Sequence, residues 1–224
     1  VFVPNVTEAV ATVLDSMRFG PGDEILLFDV AYAAVKRAVG VTCDRTGARF
    51  RLMTTGLQMT PAAYAEEMQS KLTERTRLVL LDHIVSPTAQ LLPVETLIPI
   101  AKHAGARVFV DGAHAIGQLR LSVARLGADW YATNAHKWLF APRGCCLLYA
   151  APEVRQRTHP VVVSHYYEDP FPRRFDYVGT RDVTAYLAAA DAADFVESYG
   201  LAALTAHRAG LIALADAALR ERGA

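Results

Sequence analysis

The chain alternates between short apolar runs and longer stretches whose apolar residues recur every three or four positions. The short runs have strand length and are bounded by turn residues. They are Glu24–Asp29 (EILLFD) after the GPGD turn at Gly20–Asp23, a run near Phe50–Met53, Arg77–Asp82 (RLVLLD), Val108–Val110, Trp130–Ala132 and the GCCLLYA stretch at Gly144–Ala150. A continuous apolar run without alternation marks a strand buried on both faces, as in a parallel sheet. Helix-period segments lie between the runs. Val10, Val13, Leu14 and Met17 place one apolar face on a helix over Glu8–Met17, with Asn5 or Thr7 in capping position. A second helix runs through Val39. Thr60 caps a third, which has Pro61 in its first turn and reaches about Leu72; a fourth spans Pro93–Ala104 and is ended by Gly105. This strand–helix alternation predicts an α/β fold with a mostly parallel (mixed) sheet flanked by helices.

After Tyr149 the pattern changes. The stretch from Val161 to Asp182 is loop-like, with Pro170, Pro172, Arg173 and Arg174, and a loop of this length is usually functional or an interface. Thr184 to Arg222 is Ala-rich helix, broken into two at Gly200. No repeat or low-complexity segment interrupts the order.

Composition narrows this picture. A chain of 224 residues is long enough for one large domain or two small ones, and 52% apolar with 21% charged residues is an ordinary globular balance. Lys plus Arg (23) equals Asp plus Glu (23), so nothing favours nucleic acid or an anionic membrane as partner. No apolar run reaches the length of a bilayer span, and there is no signal-peptide pattern. Three cysteines, two of them adjacent (Cys145, Cys146), argue against a disulfide framework and for a reducing, cytoplasmic location. The chain opens on Val1 within an apolar segment, which reads as a chain already in mid-fold.

Candidate chemistry sits at two strand ends. Asp111 closes one apolar run and is followed by Gly112, Ala113 and His114; Thr133, Asn134, His136 and Lys137 follow the other. The carboxyl ends of parallel strands share one crevice, where ligands bind. A carboxylate and an amine on that rim suit pyridoxal phosphate, which is held as a Schiff base to a lysine with an acid on its pyridinium nitrogen. The lysine must be partly desolvated, and His136, Trp138 and Leu139 flank Lys137. Taken singly, Asp111 reads as a turn cap and Lys137 as a surface charge; it is their shared position that favours a site. A nucleotide-binding Rossmann domain would carry G-x-G-x-x-G after its first strand, and the chain has none there.

The segments DGAH at Asp111, NAHKW at Asn134 and APRG at Ala141 resemble the cofactor-binding core of class V (fold type I) pyridoxal-phosphate enzymes. That family includes cysteine desulfurases, kynureninase, serine–glyoxylate aminotransferase and isopenicillin N epimerase. NAHKW, with GTRD at Gly179–Asp182, is most similar to the isopenicillin N epimerase-like branch. The resemblance implies a cofactor-binding large domain over 1–182 and a helical segment over 183–224 leading toward a small domain. It further implies an N-terminal arm and that small domain beyond the chain. It makes Lys137 the Schiff-base residue and the base at the substrate Cα, and Asp111 the partner of the ring nitrogen. The Val6 backbone and Thr7, in PNVTEA, would hold the phosphate together with Asn134 and His136; many relatives have Ser or Thr where Asn134 stands. Tyr32 would stack on the ring, and Ser86 would approach the phenolic oxygen. His114 would contact the ring oxygen. Thr180 would reach across a homodimer to the partner's phosphate, and Arg181 would bind a substrate carboxylate or pair with Asp182. No metal is implied. An epimerase, racemase or C–S lyase acting on an amino acid is favoured over an aminotransferase or cysteine desulfurase. The resemblance places both the usual substrate-carboxylate arginine and the desulfurase cysteine in the small domain, and none of Cys43, Cys145 and Cys146 stands where a persulfide carrier is expected. A catalytically silent homologue is the remaining alternative. His83 and His165 are the candidates for a second base.

Overall fold

A computed structural model describes residues 1–223. Its frame is a seven-stranded sheet. The strands in chain order are β1 (Phe2–Val3), β2 (Glu24–Phe28), β3 (Arg49–Met53), β4 (Thr76–Asp82), β5 (Arg107–Asp111), β6 (Trp130–Asn134) and β7 (Cys146–Ala150). Their spatial order is β1-β7-β6-β5-β4-β2-β3. The pairs from β3 through β6 are parallel, while β7 and β1 run antiparallel at one edge. The expected mixed sheet is therefore parallel at its centre.

The doubly apolar strands are explained by layers on both faces. Ile25, Leu27, Leu78, Leu80, Phe109, Trp130 and Ala132 pack on one side with α1 (Val6–Ser16) and α2 (Ala33–Thr46). Leu26, Phe28, Val79, Leu81, Val108, Val110 and Tyr131 pack on the other with α3 (Pro61–Lys71) and α4 (Val94–His103). Successive residues of one strand thus feed two cores, as the two-residue period of a strand requires. Short helices α5 (Val123–Leu126) and α6 (Pro152–Arg155) and a single 3₁₀ turn at Arg173–Phe175 punctuate the connections.

The departures from expectation are local. α1 starts at Val6, two residues earlier than the apolar period suggests, because Asn5 caps it: its Oδ1 accepts the Glu8 N–H at 2.9 Å. The last β-strand begins at Cys146, one residue after Cys145. The Ala-rich segment forms three helices, α7 (Thr184–Leu187), α8 (Ala189–Tyr199) and α9 (Leu201–Glu221), with the expected break at Gly200 and a second at Ala188. α9 is also long and apolar enough to cross a membrane by length and composition alone, which corrects the expectation that no run reaches that span. Its charges, Arg208, Asp216, Arg220 and Glu221, are few and lie mostly toward its end, so its mean character stays apolar. A third cluster, with Ala135, Leu139, Ala141 and Cys145, packs the turn after Lys137 against Ala189, Ala192 and Val196 of α8.

Candidate active site

The parallel strands all end on one rim, and the rim holds a cavity of about 200 Å³. β4 and β5 are paired so that Asp82 lies opposite Asp111, the last residue of each. β6 ends one strand further along, at Asn134, and the chain then turns back over the cavity with His136 and Lys137. The amino end of α1 closes another wall with Asn5, Val6 and Thr7, and Tyr32 and Ser86 stand at the mouth. Nine of the predicted cofactor-binding residues meet here: Val6, Thr7, Tyr32, Ser86, Asp111, His114, Asn134, His136 and Lys137. Thr180 and Arg181 do not. They line a second cavity, with Val1, Phe2 and Tyr186.

Asp111 is buried, and its Oδ1 accepts the Ala113 N–H at 2.9 Å. Burial pushes its carboxyl above the ordinary carboxylate range, against the pull of that N–H and of the Lys137 charge. The backbone that follows is pinned from behind. The Tyr131 hydroxyl sits where a Cβ on Gly112 would be, and it is 2.9 Å from His83 Nδ1 in the core. Thr133 Oγ1 donates to the Gly112 carbonyl at 2.6 Å.

Asp82 was not foreseen, although it ends an apolar strand just as Asp111 does. It is 5% exposed and lines the cavity. Its carboxyl is pushed up by burial first and by the negative charge of Asp111 second. Two facing carboxyls in one buried rim hold a proton between them more readily than either would alone.

Lys137 and Asp111 share the cavity without pairing to each other. Lys137 Nζ instead lies 3.0 Å from His114 Nε2, and the indole N–H of Trp138 donates to His114 Nδ1 at 3.1 Å. Burial lowers the pKa of the amine, and the Asp111 charge opposes that. Burial, then the Lys137 charge, lowers the pKa of His114. Both effects favour a neutral amine beside a neutral ring.

The amino end of α1 is arranged around one open position. Val6 N–H donates to Asn134 Oδ1 at 3.1 Å, and Glu8 N–H to Asn5 Oδ1. Asn134 thus binds helix to strand directly. The backbone N–H and hydroxyl of Thr7 have no protein partner among the described residues, and Thr7 is exposed to the cavity. A helix amino end with a free N–H attracts an anion. His136 Nδ1 is tied to Cys145, 2.8 Å from its carbonyl and 3.2 Å from its N–H, which leaves Nε2 for the cavity.

The residues outside the cavity have other partners. Thr180 Oγ1 is 3.2 Å from the Tyr177 hydroxyl, and Arg181 donates to the Tyr186 hydroxyl at 3.1 Å rather than to Asp182. His83 is buried against Tyr131, and His165 meets the Tyr177 ring edge-on in the loop; neither lines the cavity.

These residues fit pyridoxal phosphate. An acid at the floor, an amine opposite a histidine, an exposed tyrosine at the mouth and an open helix amino end are the donors and acceptors its ring nitrogen, aldehyde, face and phosphate call for.

Comparison with known proteins identifies the family. The putative L-cysteine desulfhydrase 1 of Oryza sativa subsp. japonica is 33% identical over 214 residues, covering 88% of this chain and 44% of the relative. The isopenicillin N epimerase of Streptomyces clavuligerus is 34% identical over 235 residues, covering 97% of this chain and 59% of the relative. The chain therefore spans about half the length of the curated relatives it matches. A solved complex of the cystine C-S lyase C-DES with its reaction product cysteine persulfide superposes with a TM-score of 0.78 at 28% identity, covering 89% of this chain and 56% of that one. The Aminotransferase class-V family matches residues 1–224, and on that match the chain belongs to the class-V aminotransferase family.

Proposed function

We propose that this chain is the cofactor-binding part of a pyridoxal-phosphate-dependent enzyme acting on an amino acid, of the C–S lyase or epimerase type. One observation carries the reading: Asp111, His114, Lys137 and the open end of α1 meet in a single cavity on the parallel-strand rim. Lys137 would hold the cofactor through its amine, Thr7 and His136 through its phosphate, Asp111 through its ring nitrogen, and Tyr32, Ser86 and His114 through its face and ring oxygen. When bound, pyridoxal phosphate supplies an electron sink for the carbanion formed at the substrate Cα. Lys137 Nζ would be the base that takes the proton from the substrate Cα. The Asp111 carboxylate would hold a positive charge at the ring nitrogen, in a site too buried for water to screen it.

The relatives named for L-cysteine and for isopenicillin N direct the substrate reading to sulfur-containing amino acids and their peptides. The same reading makes the working form a homodimer in the cytoplasm, with Thr180 and Arg181 facing a partner's cavity rather than their own.

The test is the visible spectrum of the purified chain with added pyridoxal phosphate, before and after borohydride reduction, followed by peptide mapping. The expected result is an absorbance band that amino acids shift, with the reduced label on Lys137. Label scattered over surface lysines, with no band, would leave family membership without the activity.

A further inference from the structure

The turn after Lys137 carries a residue that the cofactor reading leaves without a task. Trp138 follows the lysine and points its indole N–H at the histidine that the lysine amine also touches. The donor at Trp138 Nε1 is 3.1 Å from His114 Nδ1, and Lys137 Nζ is 3.0 Å from His114 Nε2. An indole N–H only donates, so His114 Nδ1 must be a lone pair. A neutral imidazole with a lone pair on Nδ1 carries its proton on Nε2. The ring then donates toward Lys137 Nζ, and the amine accepts only if it is unprotonated. A charged ammonium at this distance would present N–H to N–H. A doubly protonated ring would do the same to the indole.

The indole is held so that it cannot simply turn away. The guanidinium of Arg208, from α9, lies 5.4 Å over its ring and donates to the Gly117 carbonyl at 2.8 Å. The Trp138 carbonyl sits where a Cβ on Gly117 would be, at a backbone angle (φ +75°) that favours glycine. The two histidine bonds are therefore built from three segments of the fold, not from one flexible side chain.

We propose that Trp138 is a positioning residue for Lys137: it fixes His114 as the Nε2–H tautomer, and that tautomer keeps the Lys137 amine neutral and ready to bond. The proposal rests on the reading of Lys137 as the cofactor lysine. The other groups that act on the amine are the Asp111 carboxyl and the Cys146 thiol, whose charged forms would both favour the ammonium. The tautomer works against that pull without placing a charge in the cavity.

The experiment uses the full chain without added cofactor. Long-range ¹⁵N–¹H spectra of the seven histidines, assigned with His114→Gln, give the tautomer. The rate of Lys137 acylation against pH, read by peptide mapping, gives its apparent pKa. The expected wild-type result is an Nε2–H tautomer at His114. In Trp138→Phe, which keeps the ring but not the donor, the histidine should become a mixture of tautomers. The Lys137 titration should then move up by about one unit, about tenfold less neutral amine at a given pH. An Nδ1–H tautomer or a doubly protonated ring in the wild type overturns the proposal even if the variant does not fold. A folded Trp138→Phe protein with an unmoved Lys137 titration overturns it as well. Adding pyridoxal phosphate to the wild type separates the two readings. No band with the Nε2–H signature intact sinks the cofactor reading and leaves the tautomer standing. A Lys137-bound label with the wrong tautomer sinks only the role given to Trp138.

Discussion

At the scale of single residues, two carboxyls and one amine decide what the cavity can do. Lys137 is the residue whose loss should matter most to chemistry. Lys137→Ala is expected to abolish the borohydride-trapped label and to lower amino-acid turnover by about 10²–10⁴-fold, the usual worth of a positioned base; undiminished turnover would rule the role out. Asp82 has the sharper signature in stability. Its folded carboxyl is pushed up to about 8 from an ordinary value near 3.8. The folded chain thus binds more protons than the unfolded chain across that window, and stability falls as pH rises through it. Asp82→Asn keeps the shape and removes the titration. Urea unfolding without cofactor should therefore show a loss of stability between about pH 4 and about pH 8 that is clearly smaller in the variant than in the wild type. Equal slopes in the two proteins would mean that Asp82 does not carry the buried proton.

At the scale of elements, the site depends on how the ends of strands and helices are tied. Asn134→Leu would leave the buried Val6 N–H without a partner, at a cost of roughly 1–3 kcal/mol in denaturant unfolding. It should also weaken pyridoxal-phosphate retention, because α1 is no longer held to β6. Gly112→Ala should cost a similar ~1–3 kcal/mol by driving Tyr131 off its position and breaking its bond to His83. Near-wild-type midpoints for both would mean that these ends relax freely. Much of this frame was legible in the sequence, because doubly apolar strands and capped helices are local patterns: β4 was placed to within one residue and α3 to its cap. Asp111 and Lys137 were legible as a pair, because one ends a buried strand and the other follows the end of the next strand on the same rim. Asp82 obeys the same rule, yet it was passed over beside the more conspicuous His83, which turned inward to Tyr131. What sequence could not supply was partnership across the sheet. That Asn134 caps a helix 128 positions away, and that Trp138 meets a histidine from another strand's end, follow from the strand order and not from any local spacing.

At the scale of the molecule, one chain brings together the cofactor's floor and walls but leaves Thr180 and Arg181 on a different cavity, beside the chain's own amino end. Within one copy these two residues are held by Tyr177 and Tyr186, so a reach into their own Asp111–Lys137 cavity would first have to break those bonds. A second copy removes that difficulty, since a two-fold axis can lay one loop over the partner's cavity mouth and the reverse. If that is how the site is completed, cofactor retention is linked to association, and anything that binds only the dimer stabilises it by mass action. The expected outcome is that pyridoxal phosphate is lost on dilution at the same concentration at which sedimentation shows the dimer dissociating. Thr180→Ala should weaken retention about tenfold, the loss of one hydrogen bond to a charged oxygen, while leaving the monomer's urea midpoint within ~0.5 kcal/mol of wild type. Mixing Thr180→Ala with Lys137→Ala then decides the matter. In a mixed dimer one copy has lost its own amine and the other has lost the threonine it lends, so one of the two cavities has both its lysine and a partner's threonine only if Thr180 acts across the interface. Retention of the Lys137 label at near wild-type affinity in that mixture, above the level of the Thr180→Ala protein alone, is the result that assigns Thr180 to the partner's site. No gain over Thr180→Ala alone confines each site to its own chain.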